Sequence, residues 1–155
     1  MKISNILRES LIIPSVNATE KLTALREISA FTGYTDQNIN LSPEAIYNAV
    51  LNREKHGSTG VGNGVAIPHA KLAPLPELTA CLGISHQGIP FDSIDKKPVN
   101  LIFMLLVPEN SSGTHLKALA RVSRLLRNPN FRAELLGLRS AKSIYEAFLA
   151  QDNKI

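Results

Sequence analysis

Apolar positions along the chain keep two spacings, close to three and close to one. Leu11-Ile12-Ile13 before Pro14 reads as a short strand. Leu22, Leu25, Ile28 and Phe31 recur at three-residue steps, as in a helix packed by one side, with Thr19 as its N-cap and Gly33 as its end. Residues 34–41 are polar and loop-like. Ser42-Pro43-Glu44 supplies a cap, a first-turn proline and a first-turn acid. A helix is predicted from there to about Lys55, with Ile46, Tyr47, Val50 and Leu51 as its apolar arc. Val65-Ala66-Ile67 and Thr79 to Ser85 read as strands, with a proline-punctuated turn at 72–77 and further turns at 88–92 and 95–98. Val99 to Val107 is the most apolar stretch, and Pro108 closes it. Such a run fits a central strand covered on both faces. In the next helix Ala118, Leu119, Val122, Leu125 and Leu126 share one face, and Lys117, Arg121 and Arg124 share the outward one. Asn128-Pro129-Asn130 breaks the chain. A short helix around Phe131 to Leu136 and a last one from about Ala141 to Ala150 follow. Strands alternating with helices predict an α/β sandwich. No repeat or linker divides residues 1–155, so one domain is expected.

Composition narrows the classes. Hydrophobic content of 44% and charged content of 19% are globular values. No apolar run approaches the roughly 20 residues of a membrane helix. Cys81 is the single cysteine, and the start at Met1-Lys2-Ile3 lacks an apolar signal core. A cytoplasmic protein without membrane insertion is expected. The net charge of +4 is uneven: residues 1–108 carry nine basic and nine acidic groups, residues 109–155 eight and four. That basic third suits nucleic acid, an acidic protein or a phosphate, although a solvated helix face is the commoner use. The nucleic-acid alternative predicts salt-dependent binding through Lys117, Arg121 and Arg124.

The stretch from Arg53 to Lys71 concentrates the candidate chemistry. It opens on a cation, passes Gly57, Gly60, Gly62, Asn63 and Gly64, and ends on His69 behind Pro68. Glycines let backbone approach a ligand and present N–H groups to an anion. Pro68 stiffens the segment before His69. Arg53 projects along the arc of Ile46 and Val50, which is costly unless it meets an anion or reaches solvent at the helix end. His115 falls in the first turn of its helix, where anions are favoured. Such a run is also a common plain connection. No nucleotide loop, H-E-x-x-H or paired-cysteine metal spacing, or G-x-S-x-G elbow is present, so neither a metal nor a cofactor is expected. Phosphoryl transfer onto histidine remains, because neutral imidazole is nucleophilic near neutral pH and needs only positioning and nearby donors.

Gly57 to His69, ending Val-Ala-Ile-Pro-His, resembles the phosphohistidine signature of the type-2 IIA proteins of the bacterial phosphotransferase system (the mannitol/fructose IIA family). Leu101 to Leu119, through Gly113-Thr114-His115, resembles its second block. The likeness covers essentially the whole chain and is strongest to the nitrogen-regulatory branch. It implies a mixed sheet sandwiched by helices. It also implies that His69 accepts a phosphoryl group on Nε2 from an HPr/NPr-type phosphocarrier, with His115 supporting and Arg53 lining the site. Gly60, Gly62, Asn63 and Gly64 are the expected phosphoryl-stabilising loop. His56 and His86 have no role in the resemblance, and His86 is expected at the surface. Nitrogen-regulatory members signal through their phosphorylation state to targets such as potassium-transport components or sensor kinases. Sugar-specific members for fructose or mannitol pass the group to a IIB domain. The end at Ile155 without an attached IIB or membrane domain favours the regulator as the expectation.

Overall fold

The computed structural model describes residues 1–155, the side chain of Gln37 excepted. Its strands are β1 (Leu7–Ile13), β2 (Gly60–Gly62), β3 (Val65–Ala66), β4 (His69–Leu72), β5 (Thr79–Ile89) and β6 (Val99–Pro108). Its helices are α1 (Lys21–Thr35), α2 (Pro43–Glu54), α3 (Thr114–Leu126), α4 (Pro129–Gly137) and α5 (Ala141–Asp152). One six-stranded sheet runs β1-β5-β6-β3-β2, with β4 also paired to β6.

The apolar run is the spine of this sheet, as its composition predicts. Leu101, Phe103 and Leu105 face a cluster that includes Val122, Phe131 and Phe148 of α3, α4 and α5. Ile102, Met104 and Leu106 face Leu25, Ile28, Ile46 and Val50 of α1 and α2. Side chains of a strand alternate faces, so a strand with helices on both sides is apolar throughout. β5 is antiparallel to β6, while β3 and β4 are parallel to it. The sheet is therefore mixed.

β3 and β4 are two pieces of one line along β6. Ala66 stands beside Ile102 and His69 beside Leu105, with Ile67-Pro68 between the pieces. Proline has no N–H for a ladder. Pro68 contributes only its carbonyl, which accepts from the Leu105 N–H at 2.8 Å.

The start of α2 is as predicted: the Ser42 hydroxyl accepts from the Ala45 N–H at 3.1 Å, and Pro43 opens the helix. α1 departs from expectation at both ends. Its N-cap is Glu20 rather than Thr19, and it continues through Gly33 to Thr35. Gly33 is a packing residue, because a Cβ there would lie 2.9 Å from Pro43 Cγ. Leu22 is 50% exposed, and Ala24, Leu25, Ile28, Ser29 and Thr32 form the buried side instead. β1 begins earlier than its apolar triplet, and β5 runs on to Ile89 through part of the expected turn. Arg121 does not face open water: its Nε donates to Asp152 Oδ1 at 2.6 Å, and Asp152 Oδ2 accepts the Ile3 N–H at 2.7 Å. The buried Asp152 thus ties α3 and α5 to the N-terminal segment, which removes one cation from the basic face.

Candidate functional site

His69 opens β4, directly after the break in the ladder. Its Nδ1 lies 2.9 Å from the Ile67 carbonyl oxygen. A carbonyl only accepts, so in the neutral ring Nδ1 carries the proton and Nε2 keeps the nucleophilic lone pair. The half-buried ring is thus locked in one tautomer by backbone two residues before it.

His115 lies in the first turn of α3, one loop beyond the carboxyl end of β6. Its Nδ1 is buried and has no hydrogen-bond partner among the described residues. Leaving such a group unpaired costs about 1–3 kcal/mol. Gly113, the N-cap of α3 two residues before it, adopts φ +90°, a left-handed value that suits glycine.

Arg53 sits in the last turn of α2, the helix that packs on β4. It is half-buried, and its Nη1 donates to the Gly57 carbonyl at 2.9 Å. It neither snorkels freely nor lies in the core. Its remaining N–H groups are available to an anion.

The glycine run divides. Asn63 and Gly64 have φ of 58° and 78°, the pair of positive values of a type I′ hairpin turn joining β2 to β3. Gly64 contacts Asn100, at the opposite end of β6 from Leu105 and Pro108. His69 lies five residue steps on from Gly64, about 16 Å along extended chain. The Asn63 N–H is taken by Asp95 Oδ2 at 3.0 Å and the Gly60 N–H by the Ser58 hydroxyl at 3.1 Å. Gly62, Asn63 and Gly64 therefore do not cradle a group on His69, and the Gly60 amide is not free to. Two backbone N–H bonds, at Lys97 and Asn63, hold the exposed Asp95 carboxyl below its ordinary range.

Sequence reasoning passed over Glu54. Its side chain is 3% exposed and grips one residue twice: Oε1 accepts the Thr59 N–H at 2.8 Å, and Oε2 accepts the Thr59 hydroxyl at 2.8 Å. Lys21 Nζ completes it at 2.9 Å and stands over the Phe91 ring at 4.8 Å from the centroid. One signal was readable. An acid in the last turn of a helix faces the negative end of the macrodipole, so it needs a reason to be there.

His56 is exposed, just beyond α2, and its ring Nδ1 lies 2.9 Å from the Asn52 carbonyl of that helix. His86 is half-buried rather than free at the surface, with Nε2 3.1 Å from the Pro14 carbonyl. A cleft of about 240 Å³ lies between the β2–β3 hairpin and the end of α3, lined by Val61, Asn63, Ser123 and Arg127 among others. None of His69, His115 or Arg53 lines it. Among the described residues, no group of three or more His, Cys, Asp or Glu is arranged to hold a metal ion. Among the described residues, no helix is long and apolar enough to cross a membrane.

A protein-family model described as phosphoenolpyruvate-dependent sugar phosphotransferase system, EIIA 2, matches residues 5–151. The chain is 40% identical over 146 residues to a nitrogen regulatory protein of Bradyrhizobium diazoefficiens, covering 94% of this chain and 93% of that one. It is 35% identical over 153 residues to the PTS system fructose-specific EIIABC component of Bacillus subtilis, spanning 98% of this chain and 24% of that protein. The crystal structure of nitrogen regulatory protein IIA-Ntr from Neisseria meningitidis matches with a TM-score of 0.86 and 33% identity, over 94% of this chain and 98% of that one. IIA mannitol from Escherichia coli matches with a TM-score of 0.76 at 18% identity over 91% and 97% of the two chains, a likeness of fold alone.

Proposed function

Since the chain belongs to the EIIA 2 family of the phosphoenolpyruvate-dependent sugar phosphotransferase system, we propose that it is a phosphocarrier charged on His69 by an HPr/NPr-type phosphoprotein. The observation that carries this reading is the Nδ1–H of His69 bound to the Ile67 carbonyl, which leaves Nε2 as the attacking atom. The N–P bond to the donor's protonated imidazole breaks, and its electron pair returns to that ring. A new N–P bond forms at Nε2, while Nδ1 keeps its proton. The positive charge passes from the donor ring to the His69 ring, where the Ile67 carbonyl dipole stabilises it. Arg53 meets the phosphoryl oxygens with its free N–H groups, and His115, in the first turn of α3, supports the group from a second side. Positioning and charge account for catalysis in such transfers, so no metal or nucleotide is needed.

The regulatory reading is the better supported of the two outputs. Matches to proteins named for nitrogen regulation run over nearly the full length of both chains. In that reading the phosphorylation state of His69 sets binding to nitrogen- or potassium-related targets, such as potassium-transport proteins or a sensor kinase. A sugar-specific role, handing the group to a fructose or mannitol IIB domain, is supported by the fructose-specific match. Incubation with phosphoenolpyruvate, a first phosphotransferase enzyme and the phosphocarrier should label the protein, and mass spectrometry should place the label on His69. Full labelling of His69→Ala defeats the assignment. Capture experiments with the charged and uncharged forms then separate a regulatory target from a IIB acceptor.

A further inference from the structure

We propose that Glu54 is a positioning residue for His69, acting through Thr59 and Ile67, an assignment that rests on the phosphocarrier reading above. The path is continuous. Glu54 accepts both the N–H and the hydroxyl of Thr59, each at 2.8 Å. The Thr59 carbonyl accepts the Ile67 N–H at 3.0 Å. The Ile67 carbonyl accepts the His69 Nδ1–H at 2.9 Å. Glu54, Thr59 and Ile67 are exposed by 7%, 5% and 4%, so water does not compete for these bonds.

The double grip explains why the residue is an acid. Two acceptors on one planar group fix both the place and the rotation of Thr59. Gly57 makes the turn between Glu54 and Thr59 at φ +144°, its N–H donating to the Glu54 carbonyl at 3.2 Å and its carbonyl accepting from Arg53 at 2.9 Å. A carboxylate at the end of α2 opposes the helix dipole, and Lys21 and the two Thr59 bonds offset that cost. A shift of Thr59 moves the Ile67 amide, and with it the carbonyl that selects the His69 tautomer. Glu54 therefore touches no substrate; it decides where the nucleophile points and which nitrogen it offers.

The test compares Glu54→Leu with Glu54→Gln in the full chain. Leucine fills the space and grips nothing. Glutamine keeps an acceptor for the Thr59 N–H and for Lys21, and a donor that the Thr59 hydroxyl accepts. Glu54→Leu should slow transfer from the phosphocarrier roughly 10- to 100-fold, the scale of an ångström of misplacement. Glu54→Gln should stay within about fivefold of wild type. Ring ¹⁵N spectra supply the readout that simple destabilisation does not move. In Glu54→Leu the His69 signals should shift toward a tautomer mixture, while those of His86, held by Pro14, stay fixed. A wild-type transfer rate in Glu54→Leu, an equal loss in Glu54→Gln, or unchanged His69 signals overturns the assignment. If Glu54→Leu does not fold, Thr59→Val decides: about fivefold slower transfer with shifted His69 signals supports the role, and wild-type behaviour ends it. If the wild-type protein takes no label on His69, the phosphocarrier reading falls, and the ring signals still report whether Glu54 holds the imidazole.

Discussion

Replacing Gly33 by alanine sets two physical effects against each other with opposite signs. Helix propensity alone favours the change by about 1 kcal/mol, because α1 runs through Gly33 to Thr35. Packing opposes it. The new methyl would lie 2.9 Å from both Pro43 Cγ and Pro43 N, and 3.0 Å from Pro43 Cα. Two of those atoms are backbone and cannot swing aside. Carbon contacts are optimal at about 3.5–4.0 Å, so the start of α2 must retreat by about 0.5–1 Å. Overpacking of this kind costs about 1–3 kcal/mol, which leaves a net loss of about 1 kcal/mol. For a chain of this length each kcal/mol moves Tm by about 2–4 °C. Thermal unfolding followed by circular dichroism should therefore show Gly33→Ala melting lower than wild type. Gly137→Ala is the control, since nothing lies within 4 Å of its added Cβ. It should melt at or above wild type. A Gly33→Ala protein that melts higher would refute the close-approach argument and return Gly33 to a mere weak point of its helix. Because α2 carries Arg53 at its far end, about 15 Å along the axis, phosphoryl acceptance should also fall when α2 is displaced.

Three further outcomes are expected. Arg53→Ala and His115→Ala should each lower the rate of phosphoryl acceptance by about 10²-fold, the range of a single lost oxyanion donor, with little change in melting; strong unfolding with normal transfer would contradict their roles. Asp152→Ala should destabilise by about 3–5 kcal/mol in denaturant titration, since it strands the Arg121 guanidinium and the Ile3 N–H, and a change under 1 kcal/mol would sink the staple. Burial pushes the Cys81 thiol up from 9.0 to about 12, against a smaller opposing bond from Thr32. Thiol reagent should thus label only unfolded protein, and stability should decline as pH rises from about 9 to about 12, where the unfolded thiol ionises and the folded one does not; Cys81→Ala should remove that part of the alkaline slope.

What was legible in the chain followed from local rules with few competitors. The cap at Ser42, the spine at Val99 to Val107 and the buried face of α3 each rest on period or capping chemistry alone. What was missed depended on partners distant in sequence. β1 hid behind Arg8, Glu9 and Ser10, which are polar because that part of the edge strand meets water. Gly33 mimicked a helix stop because a residue ten positions later needed its space. Asn63-Gly64 carried a hairpin signal, but its glycines also fit an anion loop, and only the pairing of β2 with β3 decides between them. His69, His115 and Arg53 were singled out by position and motif, and the roles proposed for them start there. Glu54 was not, since its worth lies in a loop that folds back upon it.

The break in the ladder at Pro68 has a bearing on inheritance. The atom that orients His69 belongs to the main chain of Ile67, and every codon at that position encodes a carbonyl there. Variation at position 67 can change the side chain that fills the core without erasing the acceptor. The vulnerable letter is instead Pro68: a residue with an N–H could zip the two half-strands into one continuous ladder, draw the carbonyl inward and leave the imidazole untethered.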